Sequence, residues 1–209
     1  MTGSREVITG GDFKRMVAGA YSEFLLEYET INGLSGAGTL AGTHILRTMG
    51  AAVMPLADAK DDSIGGLARR VSTAAVFGAR GNAGVVLAQM FRGISAGLVG
   101  KYDATGSEFG KAFQYGILYA QRLIPEEPES PFISVAKAVA KGAYHAVRDG
   151  VPIVEILYKA IQSGEAAVEV IGLNDAGAKS CSVLERMLEG NRRKLCIARR
   201  ESVARFGDA

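Results

Sequence analysis

Three short stretches of this 209-residue chain carry residue types whose spacing could do chemistry. The first is Gly78-Ala79-Arg80-Gly81-Asn82-Ala83-Gly84, at the point where one helical pattern stops and the next begins. Such a junction gathers unpaired backbone N–H groups and the positive end of a helix dipole, which together suit an anion. Glycine permits close backbone approach, Asn82 can cap the helix, and Arg80 can supply positive charge. A tight helix-to-helix turn would select the same glycines, so the motif alone leaves both readings open.

The second stretch, Gly36-Ala37-Gly38-Thr39-Leu40-Ala41-Gly42-Thr43, has the look of a dinucleotide fingerprint. It follows a helix rather than a strand, and the acid expected about 20 residues later has no βαβ setting, so a Rossmann site is excluded. Neither stretch ends in Gly-Lys-Ser or Gly-Lys-Thr, which excludes a Walker loop. The third, Asp175-Ala176-Gly177-Ala178-Lys179-Ser180, lies between two helical patterns. Asp175 serves there equally well as an N-cap or as part of a ligand site.

These stretches must be positioned by helices, because the periodicity is helical throughout and no period-two run is bounded by hairpin turns. A first helix is expected from Asp12 as N-cap, with the stripe Phe13, Met16, Val17, Ala20, Phe24 and Tyr28, ending near Asn32-Gly33. A second runs from Thr43 to about Met54 and stops at Pro55. Asp62 or Ser63 caps a third that reaches Phe77, and a fourth covers Gly84 to Leu98. Ser107 caps a fifth, which ends before the loop carrying Pro125, Pro128 and Pro131. Ile133–Val147, Ile153–Ile171 and Ala178–Leu188 follow, the seventh helix starting just after Pro152. The result is an all-α chain, an eight-helix antiparallel bundle or barrel with small residues on many buried faces. Gly19, Gly93, Gly110 and Gly116 each cost about 1 kcal/mol of helix propensity, which packing must offset.

Bulk properties narrow the function further. The chain has 24 basic and 22 acidic residues and 48% hydrophobic content, enough for one sizeable core and with no net field calling for nucleic acid. Residues 1–190 read as one domain and 191–209 as a basic C-terminal tail, with Arg192, Arg193, Lys194, Arg199, Arg200 and Arg205 opposed by Glu201 and Asp208. No secretory segment or membrane span is visible, which points to the cytoplasm. Cys181 and Cys196 lack metal spacing, and His44 and His145 are too few for a histidine-rich metal centre. Asp58, Asp61 and Asp62 read as a solvated turn.

Taken in order, Gly78 to Gly93 (GARGNAGVVLAQMFRG), the first helix from Asp12 to Asn32, and Asp175 to Ser180 resemble the DhaL family. This is the nucleotide-binding domain of dihydroxyacetone kinases, and the likeness leans toward its branch in the fatty acid kinase FakA, over roughly Ile8 to Gly190. The resemblance implies an eight-helix barrel holding ATP or ADP at one end through magnesium bound by Asp side chains, in a loop reading Asp-Gly-Asp-Thr-Gly-Thr-Asn. Alignment through Gly42-Thr43 puts Gly38 and Leu40 at the two Asp positions, Ala41 at the first Thr and His44 at the Asn. A third family Asp falls near Asn32, and Ala83 stands where the family often has Ser.

Glycine and leucine give magnesium no oxygen ligand, so the resemblance predicts a weak ATP or ADP site without the metal, and no catalytic or metal-binding residue. The nucleotide-binding residues it implies are Thr43, His44, Gly81, Asn82, Ala83, Gly84, Asp175 and Gly177. The leading expectation is therefore a degenerate, catalytically impaired kinase homologue with a regulatory or partner-binding role. The alternative is an active ATP-dependent phosphoryl donor acting on dihydroxyacetone or a fatty acid. In either case the implied partner is a DhaK-like or DegV/FakB-like substrate-binding protein, and a homo-oligomer is allowed. A pure interaction module that docks through an exposed apolar patch is the third reading.

Overall fold

The computed structural model describes residues 7–34, 40–60, 62–123 and 131–171. Within them lie seven helices and one two-stranded ribbon: β1 (Val7–Ile8), α1 (Gly10–Leu34), α2 (Ala41–Ala57), α3 (Ile64–Gly78), α4 (Gly81–Gly97), β2 (Ala104–Thr105), α5 (Gly106–Gln121), α6 (Pro131–Arg148) and α7 (Ile153–Ile171). The helical bundle expected from periodicity is thus present. The eighth helix, placed at Ala178–Leu188, and the basic tail both fall outside the described residues.

Helix boundaries depart from expectation where the capping chemistry was misassigned. Asp12 lies inside the first turn of α1, where Asp12 Oδ2 accepts from the Thr9 N–H at 2.9 Å and Thr9 Oγ1 at 2.7 Å. The Asp12 N–H donates back to Thr9 Oγ1 at 3.1 Å, so Thr9 is the cap. Burial pushes the Asp12 carboxyl up, but the hydrogen bonds from Thr9 and Arg15 outweigh it and hold the group below its usual range. Thr105 rather than Ser107 caps α5, in a capping box with Glu108. Ser63 caps α3 as expected, its hydroxyl accepting from the Gly66 N–H at 3.2 Å.

Pro55 does not end α2 but sits within its last turn. The one ladder bond it removes would have come from its own N–H to the Ala51 carbonyl, and the helix stops two residues later. Val7 pairs with Thr105 and Ile8 with Ala104, an antiparallel ribbon too short to leave a period-two pattern.

In the bundle α1 packs on α2 and α3, α2 on α3, α4 on α2, α3 and α5, α5 on α6, and α6 on α7. The glycines of α4 and α5 are repaid at one crossing: a Cβ on Gly93 would lie 2.6 Å from Gly116 Cα, and one on Gly97 2.6 Å from Ala112 Cα. Only hydrogen in place of a side chain permits that approach. Gly110 meets nothing within 4 Å and gains no such return. Buried Phe13, Val17, Ile64, Leu67, Val71 and Leu98 fill one part of the core, Phe24, Ile31, Ile45, Met49 and Leu87 another. An apolar cavity of about 160 Å³ lies between α1, α4, α5, α6 and α7, with Phe13, Met16, Phe109, Phe113 and Leu157 in its wall.

Candidate functional site

Helices α2 and α4 begin at the same end of the bundle, and their first turns touch. A Cβ on Gly81 would overlap the His44 imidazole, lying 2.5 Å from Cε1 and 2.7 Å from Cγ. One on Gly84 would overlap Thr48 Oγ1 and come within 3.2 Å of the His44 carbonyl oxygen. Gly81 also has φ of +56°, in the left-handed region that costs a side-chain-bearing residue about 1–2 kcal/mol. Gly42 does the same for the other neighbour, since a Cβ there would strike the Tyr28 carbonyl at the end of α1. Three glycines therefore let α1, α2 and α4 meet at one point.

Two polar bridges fix the junction. Asn32, in the last turn of α1, accepts from the Thr43 N–H at 3.1 Å and donates through Nδ2 to Thr43 Oγ1 at 2.8 Å. Thr48, fully buried, donates to the His44 carbonyl at 2.8 Å and accepts from the Arg80 N–H at 3.3 Å. Nothing in the sequence had singled out Thr48. Its signal is a lone polar residue on the buried stripe Ile45, Thr48, Met49 and Ala52 of α2.

The start of each helix is chemically unusual. Leu40 precedes α2 and Arg80 precedes α4, and neither gives a side-chain cap. The expected Asn82 cap is corrected here: Asn82 is the second residue of α4, exposed and past the capping position. Arg80 does not aim charge into the turn, because its Nη1 donates to the neighbouring Ala79 carbonyl at 2.8 Å. Gly84 and His44 have reached the helical ladder, their N–H groups bonding to the carbonyls of Arg80 at 3.1 Å and Leu40 at 2.9 Å. The N–H groups before them in each first turn precede the ladder, and of these the Thr43 N–H is taken by Asn32 Oδ1. Both positive dipole ends thus face the same corner.

The structure brings together Thr43, His44, Gly81, Asn82, Ala83 and Gly84 from the predicted set. Asp175, Gly177 and Gly38 lie outside the described residues. Leu40 is half exposed beside the corner and offers hydrocarbon only. Asp58, the C-cap of α2, and exposed Asp62 belong to the other end of α2 from His44. His145 lies far along the chain on α6, its ring edge-on to Tyr144 at 5.7 Å between centroids.

The model of the DAK2 domain matches residues 41–170, from the first residue of α2 almost to the end of α7, and so takes in both helix starts. The chain belongs to the DAK2 domain family. An uncharacterized protein of Staphylococcus epidermidis is 30% identical over 139 residues, covering 61% of this chain and 25% of that protein. Protein YloV of Bacillus subtilis is 28% identical over 148 residues, 66% of this chain and 27% of its own length. The DAK2 domain described here therefore spans about a quarter of the curated relatives it matches. DAK2 domains are DhaL-type domains of dihydroxyacetone kinases, bind ADP or ATP as a family, and pair with substrate-binding partners. No helix among the described residues is long and apolar enough to cross a membrane.

Proposed function

We propose that this DAK2 domain binds the phosphates of ADP or ATP through the backbone donors of α2 and α4, does so without a divalent ion, and has lost phosphoryl transfer in favour of a regulatory or partner-binding role. The observation that carries the reading is the convergence of two helix starts that lack side-chain caps, tied by the Asn32–Thr43 and Thr48–Arg80 bridges. The first-turn N–H groups of α4, with no partner among the described residues, lie at a shared positive dipole end and suit phosphate oxygens.

The donor set among the described residues does not fit magnesium. That ion demands hard oxygen ligands in near-octahedral array. Leu40 has none, Asn32 spends its amide on both groups of Thr43, and the Thr43 hydroxyl already accepts from Asn32. In this reading the chain's own residues bind and orient: Gly81, Asn82 and Ala83 present N–H groups, Thr43 and Thr48 hold the two starts in register, and the occupied corner is the surface that a DhaK-like or DegV/FakB-like partner reads. No step of group transfer is assigned.

Isothermal titration of the chain with ADP, with and without magnesium, tests this. Binding that changes by less than about twofold on adding the ion, or 0.4 kcal/mol, is expected. Tightening by about tenfold or more with magnesium, or turnover of ATP with a substrate-binding partner, overturns it in favour of an active phosphoryl donor.

A further inference from the structure

Resting on the reading just given, we infer that the imidazolium of His44 supplies, at the α2–α4 corner, positive charge that a divalent ion would otherwise bring, so that nucleotide phosphate is held in a proton-dependent way. The ring of His44 lies directly over Gly81 Cα, in the space a Cβ would need, and so stands at the mouth of the first turn of α4 while belonging to the first turn of α2. Among the described residues no other cation makes a contact at that place. The Arg80 guanidinium, just before α4, is folded onto the Ala79 carbonyl. Arg47, one turn further along α2, is exposed. On α1, Glu29 accepts from the Tyr28 hydroxyl at 3.0 Å, and the amide of Asn32 is held by Thr43. Among the described residues His44 makes no ion pair that would fix its charge in advance.

Imidazole gains and loses its proton near neutrality, unlike every other side chain at this corner. A phosphate dianion placed beside the ring favours its protonated form. Binding should therefore raise the proton affinity of His44. By linkage the affinity for nucleotide must rise as pH falls through the imidazole range. A neutral residue at position 44 breaks that coupling without removing any backbone donor.

The test is titration with ADP in the presence of EDTA from pH 8.0 to 5.5, for the wild-type chain, His44→Asn and His44→Gln, together with the ¹H–¹³C signal of the His44 ring, which His145 alone accompanies. Protonation of ADP itself is common to all three proteins and cancels in the comparison. The expected result is that wild-type affinity gains about tenfold on both variants across this range, and that ADP raises the titration midpoint of the His44 ring by about one pH unit. Parallel pH profiles, or a midpoint unmoved by bound ADP, overturn the inference while leaving the nucleotide site standing. Absence of ADP binding by all three proteins at every pH overturns both.

Discussion

The starts of α5 and α4 are built from opposite materials. At α5 the Thr105 hydroxyl accepts from the Glu108 N–H at 3.3 Å, Glu108 accepts from the Thr105 N–H at 2.8 Å, and Lys101 adds an ion pair at 2.7 Å. Two of the N–H groups that the helix leaves over, those of Thr105 and Glu108, are answered by each other's side chains. The start of α4 has Arg80 in the capping position with no side-chain oxygen to offer, and α2 has Leu40. Helices α1, α3 and α5 are capped by the residues just before them, Thr9, Ser63 and Thr105, whereas the two that converge on one corner have no such cap. In α2 one first-turn N–H, that of Thr43, is instead bonded to Asn32 of α1. Capping is worth about 1 kcal/mol per helix. Among the helix starts with described caps, these two alone forgo a cap from the residue that precedes them, which is the contrast on which the proposed phosphate site rests.

The contrast can be broken most severely by Gly84→Val. The new side chain would be driven into Thr48 Oγ1 and the His44 carbonyl, so a loss of about 3 kcal/mol in urea unfolding is expected, along with loss of ADP binding. Thr105→Ala should cost about 1 kcal/mol by the same assay and leave ADP affinity unchanged, because the α5 cap serves the fold alone. Arg80→Ser sharpens the comparison from the other side. A capping hydroxyl should stabilise the chain by about 0.5 kcal/mol while weakening ADP binding, since the serine oxygen competes with phosphate for the same N–H groups. Stability gained with affinity unchanged would mean that those N–H groups do not hold phosphate.

The smallest effect is in acid. Hydrogen bonds from Lys101 and then Thr105 hold Glu108 at about 2, well below its ordinary 4.5. A carboxyl depressed in the folded state stabilises above its unfolded value and loses that contribution as pH falls toward the folded one. Unfolding free energy should therefore decline between about pH 4.5 and 2, and Glu108→Gln should flatten part of that decline. The side chain is 39% exposed and screened by solvent, so the change in slope should be modest. Asp12, lowered in the same direction, leaves a residual slope in the variant.

Much of the fold was legible because amphipathic periodicity survives small errors at its ends. The stripe of α1 and the full extent of α7 follow directly from it. Caps were less legible, since Thr9 and Asp12, or Thr105 and Ser107, are equally good candidates by type, and only the side-chain geometry decides between them. Pro55 misled for a related reason: a proline is costly in mid-helix but removes only one bond when the helix is about to end. At the corner, Thr43, His44 and the Gly81–Gly84 segment could be grouped through the family motif. The bridge from Thr48 to Arg80 could not, because it joins residues 32 positions apart and has no local pattern. The left-handed backbone of Gly81 was equally hidden, as glycine is compatible with many other conformations.

The ribbon of Val7–Ile8 with Ala104–Thr105 joins two stretches of chain nearly a hundred residues apart, and its second strand runs into the cap of α5. Closing so long a loop costs entropy that the helical hairpins between do not incur, since each of those forms from neighbours in sequence. The ribbon should thus be among the last contacts made as the chain folds, and the cap of α5 is completed beside it. Assembly of the bundle would then finish at the end away from the glycine corner, which can already be in place while the opposite end is still open.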